Sequence, residues 1–141
     1  MKIFIINGPN LDMLGKREPE IYGADTLESI NAELTEYCWK IGVEPEFYQS
    51  NSEGAIIDFI HSARGNADGI VLNAGAYTHY SIAIRDAISA AEVPCVEVHL
   101  SNVHKREEFR HKSVISAVCT GVICGFGKDV YRLAVSALAK K

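Results

Sequence analysis

Short apolar runs alternate with helical patterns along this chain, and that alternation constrains its fold more than any other feature. Runs such as Ile70-Val71-Leu72 are typical of strands buried on both faces, as in a parallel sheet with helices on either side. The pattern predicts a single domain over residues 1–141, an α/β flavodoxin-like doubly wound sandwich with a roughly five-stranded parallel sheet. The strand candidates are residues 2–6, 43–48, 69–73, 94–99 and 118–124, and the helix candidates are residues 26–41, 53–64, 81–91 and 127–140.

Local signals mark the ends of the predicted helices. Residues 25–28 resemble an acidic variant of the capping box, and residues 50–53 match its standard spacing. Gly42 and Gly65 follow the first and second helical patterns, where a residue of left-handed conformation often ends a helix. These signals support the boundaries assigned from periodicity.

Composition limits the function classes. The chain has 141 residues, of which 48% are apolar, so disorder is not expected, and its net charge of −4 argues against a general nucleic-acid binder. No apolar run is long enough to span a bilayer and no signal-peptide pattern precedes the first strand, so we expect no membrane partner and a cytoplasmic location. The four cysteines form no C-x-x-C pair and are interpreted as small buried thiols.

The connection after the first strand is long for this fold. Residues 7–23 separate the first apolar run from the first helical pattern, whereas such connections usually take only a few residues. Long connections in small domains are often lids or binding loops. Arg17 and Tyr22 are its chemically active candidates, although an exposed Arg is usually only solvated and a loop Tyr usually packs through its ring.

A tyrosine base needs help to ionise. Lowering its pKa from about 10 to about 7 takes about 4 kcal/mol. One guanidinium at about 4 Å supplies energy of that order at an effective dielectric constant of about 20. Because Arg17 and Tyr22 lie on the same connection, this chemistry is feasible in principle.

Polar residues interrupt the fourth strand with a spacing of two. Glu97, His99 and Ser101 project to the same side if the strand extends that far, although a buried parallel strand is normally apolar. A carboxylate beside an imidazole fixes its tautomer and stabilises its protonated form. A satisfied structural Glu–His pair is the alternative, and the position at the ligand-binding edge of the sheet favours function.

Two further segments follow strands at the same edge. In residues 73–81, Ser81 is interpreted as a helix N-cap, whereas His79 and Asp86 fit ligand binding and a solvated helix end equally well. In residues 104–112, the pattern predicts a helical face that either is solvated or turns its arginines toward an acidic ligand. The first strand is not followed by a dinucleotide or P-loop motif, and no residue cluster has metal-binding spacing.

In chain order, these segments resemble the type II 3-dehydroquinate dehydratases. The matching blocks are Asn7-Gly8-Pro9-Asn10-Leu11, Leu14-Gly15-x-Arg17-x-Pro19-x-Ile21-Tyr22-Gly23, Asn73-Ala74-Gly75-Ala76-Tyr77-Thr78-His79, Glu97-Val98-His99-Leu100-Ser101-Asn102, Arg106-Glu107-x-Phe109-Arg110 and Thr120-Gly121-Val122-Ile123-x-Gly125. The resemblance implies a single catalytic domain that converts 3-dehydroquinate to 3-dehydroshikimate and water in the shikimate pathway. It also implies that no cofactor is used and that the subunit assembles as a homo-oligomer, commonly a dodecamer of trimers.

The resemblance further implies a role for each matched site residue. Tyr22 would remove a proton from C2 of the substrate, Arg17 would lower the Tyr22 pKa, and Asn10 would help hold a water against the enolate oxygen. His99, oriented by Glu97, would protonate the departing C1 hydroxyl. The substrate-binding set would be Asn73 with the backbone amides of Leu100 and Ser101 for the carboxylate, His79 and Arg110 for the ring hydroxyls, Asp86 for a neighbouring subunit's site, and Arg106 as a support for the lid.

On this interpretation, residues 7–23 consist of two parts with different roles. Asn7 to Asn10 would form a fixed floor, and Lys16 to Gly23 would form a lid that carries the base. A non-catalytic flavodoxin-like module that binds a small acid or phosphate is the alternative function. It explains the loops and basic residues but not the Arg17–Tyr22 and Glu97–His99 pairs. A purely structural subunit would bind no small molecule.

Overall fold

The computed structural model of the chain describes residues 1–16, 20 and 24–140. Within these residues, five parallel strands form one sheet in the order β2-β1-β3-β4-β5, which confirms the predicted doubly wound α/β sandwich. The strands are β1 (Lys2–Asn7), β2 (Glu44–Gln49), β3 (Gly69–Asn73), β4 (Cys95–His99) and β5 (Gly121–Cys124). The longer helices are α1 (Leu27–Lys40), α2 (Glu53–Ala63), α3 (Ile82–Ala91) and α4 (Asp129–Ala139).

Apolar cores lie on both faces of the sheet because successive strand residues point to opposite sides. Ile3 and Ile5 of β1 join the core beneath α1 and α4, whereas Phe4 and Ile6 join the core beneath α2 and α3. Burial on both faces explains why the central strands are continuous apolar runs.

The strand order reverses between β1 and β3, which opens a crevice at one edge of the sheet. β1 leads through α1 to β2 on one side, and β3 leads through α3 to β4 on the other side. Asn7 and Asn73 are register partners at the ends of these two strands. Ligands of doubly wound sheets bind at such a point, outside the carboxyl ends of the strands.

Several local predictions need correction. Residues 104–112 form no α-helix; short 3-10 helices cover Val103–Lys105 and Glu108–Arg110 instead. β5 begins at Gly121 rather than at residue 118, because residues Ser116–Val118 close a 3-10 turn before it.

The two N-terminal caps also differ from the prediction. Thr26 caps α1 and exchanges its capping-box hydrogen bonds with Ser29, so the box lies one residue later than residues 25–28. Ser52 caps α2 by accepting from the Ala55 N–H, rather than Ser50. The serine nearer the helix has the extended backbone that an N-cap requires. The C-terminal prediction is confirmed, since Gly42 and Gly65 have φ of +77° and +78°.

Gly8 lets the connection after β1 touch the connection after β3. Its N–H donates to the Asn73 carbonyl at 2.7 Å, and a Cβ at this position would lie 2.7 Å from the Ala74 carbonyl oxygen. Real Cβ atoms do not approach backbone so closely, so any side chain would push the two connections apart.

We therefore expect Gly8→Ala to lower the free energy of unfolding by about 1–3 kcal/mol, the usual scale of forced overpacking. Urea denaturation followed by circular dichroism measures this change. Gly54→Ala is the matched control, because a Cβ there meets only Ser52 Oγ at 3.8 Å and alanine favours the helix. Equal stability of Gly8→Ala and the native chain would contradict the steric argument.

Candidate active site

A cleft of about 130 Å³ opens at the carboxyl edge of the sheet. Its walls come from the connections that follow β1, β3 and β4, as the fold requires. The lining residues are Pro9, Asn10, Leu11, Leu14, Asn73, Gly75, Ala76, His79, His99, Leu100, Ser101, Val103, Arg106 and Arg110.

An imidazole lines this cleft, with a buried carboxylate directly behind it. Glu97 is fully buried and His99 is 8% exposed. The Glu97 Oε2 atom lies 2.5 Å from His99 Nε2. The other carboxylate oxygen, Oε1, accepts hydrogen bonds from the hydroxyls of Ser113 at 3.1 Å and Ser116 at 2.5 Å. Both oxygens of the buried carboxylate are thus hydrogen-bonded, as burial of a charge demands.

The environment keeps Glu97 ionised. Burial alone raises the pKa of Glu97, but the hydrogen bonds from His99 and the two serines outweigh burial, so its pKa lies below the ordinary value. An ionised carboxylate only accepts hydrogen bonds, and therefore His99 Nε2 carries a proton. Nδ1 is then the His99 nitrogen left to exchange a proton with a ligand.

Ser113 is oriented by the backbone that follows it. Its Oγ accepts from the N–H groups of Ile115 at 3.2 Å and Ser116 at 3.1 Å. With these N–H groups directed at the lone pairs, the hydroxyl proton is directed to Glu97. The turn before β5 thus supports the carboxylate of β4.

A second imidazole lies beside the first. The rings of His79 and His99 are stacked, with centroids 6.4 Å apart and planes inclined by 17°. His79 Nδ1 lies 2.8 Å from the Lys112 carbonyl oxygen. A carbonyl only accepts, so Nδ1 carries a proton and Nε2 can accept a hydrogen bond from a ligand hydroxyl.

Two arginines give the cleft a positive wall. Arg106 and Arg110 both line it, although a 3-10 turn rather than an α-helix places them there. Glu107 orients Arg110 by accepting from its Nε at 2.9 Å and lies 3.9 Å from the Nε of Arg106. In a chain of net charge −4, this local excess of cations suits an anionic ligand.

Most sequence-predicted site residues meet in this cleft. Asn10, Asn73, His79, His99, Leu100, Ser101, Arg106 and Arg110 line it, and Glu97 lies directly behind His99. Asn10 has φ of +70°, and its N–H donates to Asn51 Oδ1 at 2.9 Å, which fixes the floor of the cleft beside β1. Asp86 is exposed on α3 and is not among the lining residues. Arg17 and Tyr22 lie outside the described residues.

Ser81 is confirmed as the N-cap of α3, where its Oγ accepts from the Ile84 N–H at 3.0 Å. Ser113 and Ser116 support the site and were missed by sequence reasoning, and Glu107, which lies in one of the matching blocks, was given no role there. Serines in a turn carry no distinctive pattern, and their contacts with Glu97 span 16 and 19 residues. For Glu107, the charges on both sides were the available signal.

Other expectations concern membranes, metals and thiols. None of the helices in the described part of the chain combines the length and apolar character needed to cross a bilayer. Among residues 1–16, 20 and 24–140, no three His, Cys, Asp or Glu side chains are grouped to hold a metal ion. All four cysteines are free; Cys38 and Cys95 are buried as predicted, and Cys119 and Cys124 are half-buried.

Comparison with known proteins assigns the chain to a family. The family model described as "Dehydroquinase class II" matches residues 1–139. A 3-dehydroquinate dehydratase from Jannaschia sp. is 59% identical over 140 residues, which cover 99% of this chain and 95% of that protein.

Solved structures agree with the sequence matches. A type II dehydroquinase from Butyrivibrio crossotus superimposes with a TM-score of 0.96 at 54% identity, covering 98% of this chain and 97% of that one. A type II dehydroquinase from Propionibacterium acnes also gives a TM-score of 0.96, at 46% identity, covering 99% of this chain and 97% of that one. Because the match extends over almost the whole length in both sequence and fold, the chain belongs to the class II dehydroquinase family.

Proposed function

We propose that this protein catalyses the dehydration of 3-dehydroquinate to 3-dehydroshikimate and water, a step of the shikimate pathway. Family membership and the names of the similar proteins support the substrate and reaction. The observation that carries the proposal in this chain is His99 lining a cleft with a cationic wall, with the buried carboxylate of Glu97 hydrogen-bonded behind it. This combination suits acid-assisted loss of a hydroxyl from an anionic substrate.

The first half of the proposed reaction is removal of a proton next to the ketone. Tyr22, as the phenolate, takes a proton from C2, and the electron pair of the broken C–H bond forms an enolate on the C3 oxygen. Arg17 stabilises the phenolate, and Asn10 helps hold a water against the enolate oxygen. The place of Asn10 in the cleft lining supports its proposed role, and the family resemblance supports the roles of Arg17 and Tyr22.

The second half is loss of the C1 hydroxyl. The enolate electrons return to restore the ketone, a double bond forms between C1 and C2, and the C1–O bond breaks. His99 donates a proton to the departing oxygen, so that water leaves. Glu97 supports this role because its negative charge stabilises the protonated imidazole until the proton is transferred.

The remaining cleft residues bind the substrate in this proposal. Asn73 and the backbone amides of Leu100 and Ser101 hold the carboxylate. Their places in the cleft lining support this role. His79 and Arg110 bind ring hydroxyls, and Arg106 supports the connection that carries Tyr22.

We further infer that the protein works as a homo-oligomer, a dodecamer built from trimers. In this assembly, Asp86 reaches the cleft of a neighbouring subunit. Exposure of Asp86 outside its own cleft supports this. A second cavity of about 430 Å³, which shares His79, His99 and Arg110 with the cleft and opens beside β5, supplies cationic groups that suit an incoming carboxylate. Size-exclusion chromatography with light scattering should give about twelve times the 15.5 kDa subunit mass; a monomer would contradict the inference.

The alternative, a module that only binds a small acid, uses the same cationic wall. It gives no reason for a fully buried carboxylate to be placed behind His99. Binding of 3-dehydroquinate without turnover would favour this alternative.

The reaction is followed directly, because elimination creates a conjugated enone that absorbs in the ultraviolet. We expect the purified protein to raise this absorbance with 3-dehydroquinate. Tyr22→Phe should reduce kcat by about 10²–10⁴-fold, the usual contribution of a general base, while leaving binding largely intact. No absorbance change with the native chain would overturn the function, and native turnover by Tyr22→Phe would remove Tyr22 from its role.

The lowered pKa of Glu97 also predicts how stability depends on pH. A carboxyl whose pKa is lower in the folded state stabilises the fold above its unfolded pKa of about 4.3, and this stabilisation is lost as pH falls through the folded pKa. We expect Glu97→Gln to be less stable than the native chain at pH 7, with the difference shrinking below about pH 4. Urea denaturation at a series of pH values measures it.

Glu36→Gln, on the exposed side of α1, is the matched control and should leave the pH dependence of stability unchanged. A stability difference between Glu97→Gln and the native chain that stays constant from neutral to acid pH would contradict an ionised Glu97.

A further inference from the structure

A chain of buried polar side chains ties the cleft to the first strand and to α4. Asn73 Nδ2 lies 3.1 Å from the Tyr131 hydroxyl, and this hydroxyl lies 2.5 Å from Asn7 Oδ1. The three residues are 1–3% exposed. Only Asn73 of these three lines the cleft.

A backbone N–H fixes the orientation of the Asn73 amide. The Gly75 N–H donates to Asn73 Oδ1 at 3.2 Å, and an N–H cannot accept. The other end of the Asn73 amide, Nδ2, therefore faces Tyr131 and donates to its hydroxyl. That hydroxyl in turn donates its own proton to Asn7 Oδ1.

Tyr131 remains a donor under all ordinary conditions. Burial raises the pKa of Tyr131 far above its usual value, and the Asn73 hydrogen bond opposes this only partly. Since the proton is committed to Asn7, the hydroxyl presents a lone pair to Asn73. The second N–H of Asn73 Nδ2 is then available to a ligand in the cleft.

We propose that Tyr131, oriented by Asn7, is a positioning residue that holds the N–H end of the Asn73 amide toward the substrate carboxylate. The inference rests on the proposed function, in which Asn73 binds that carboxylate. An amide that reversed its ends would place a carbonyl oxygen against the anion. Together with the Gly75 N–H, the Tyr131–Asn7 pair thus selects for a negatively charged group without touching it.

Tyr131→Phe tests the proposal, because it keeps the buried ring and removes only the hydroxyl. We expect KM for 3-dehydroquinate to rise about tenfold, the scale of one hydrogen bond to a charged group, with kcat changed by less than about threefold. A loss of uniform binding gives this pattern. Calorimetric titration of 3-dehydroquinate in the Tyr22→Phe background should show the same weakening without turnover.

A double-mutant cycle separates positioning from general destabilisation. If Tyr131 acts through Asn73, Tyr131→Phe should weaken binding by less than about twofold once Asn73→Ala is present. Tyr48→Phe is the matched control: its hydroxyl bonds Glu46 on β2 outside the cleft, so KM should not change. If Tyr131→Phe does not fold, Asn7→Ala should raise KM in the same direction, because the Tyr131 proton loses its acceptor.

The possible results distinguish failure of the Tyr131 inference from failure of the proposed function. Unchanged KM and binding in Tyr131→Phe, or additive effects in the cycle, would overturn the inference while leaving the proposed function intact. Binding of 3-dehydroquinate by the native chain without turnover would refute the dehydratase, and the calorimetric comparison would still decide the role of Tyr131. Neither binding nor turnover by the native chain would overturn both.

Discussion

A carboxylate buried in the middle of a parallel sheet is tolerated only when its charge is fully paired, and this constraint organises the surroundings of the cleft. Glu97 lies on β4 between β3 and β5, where strand residues are normally apolar. His99 satisfies one of its oxygens, and Ser113 with Ser116 satisfies the other. The turn before β5 therefore cannot move without leaving one buried carboxylate oxygen without its hydrogen bonds, which would cost about 1–3 kcal/mol. The same contacts that make the fold tolerate Glu97 hold His99 in a single orientation.

The sequence predicted the architecture well because strand–helix alternation and buried apolar runs depend on local pattern. Glu97 and His99 were found for a related reason, since polar residues with a spacing of two contradict a buried strand. Tyr131 gave no such signal, because a tyrosine on the apolar face of a helix is typical of a core. Its partner Asn7 is 124 residues away, and no local pattern records a contact of that range. Residues 104–112 were misassigned because i,i+4 charges suggest an α-helix, whereas two 3-10 turns place the arginines at the cleft.

The described walls of the cleft carry the proposed binding groups and the proposed acid, whereas the proposed base lies on another segment. His99 ends β4, an interior strand of the sheet, and is held by its hydrogen bond with Glu97. Tyr22, the proposed base, belongs to the segment between β1 and α1. The two proposed proton-transfer groups therefore lie on separate segments of the chain.

The hydrogen bond between Asn7 and Tyr131 joins residues that are synthesised far apart in time. Asn7 leaves the ribosome 124 residues before Tyr131. Until α4 has emerged and docked, the amide of Asn73 lacks the neighbour that orients it. A nascent chain that has formed β1 to β4 and the segment after them therefore has His99, Arg106 and Arg110, but Asn73 still lacks its contact with Tyr131. Under the proposed role of Tyr131, the substrate carboxylate meets an oriented Asn73 amide only after α4 has docked.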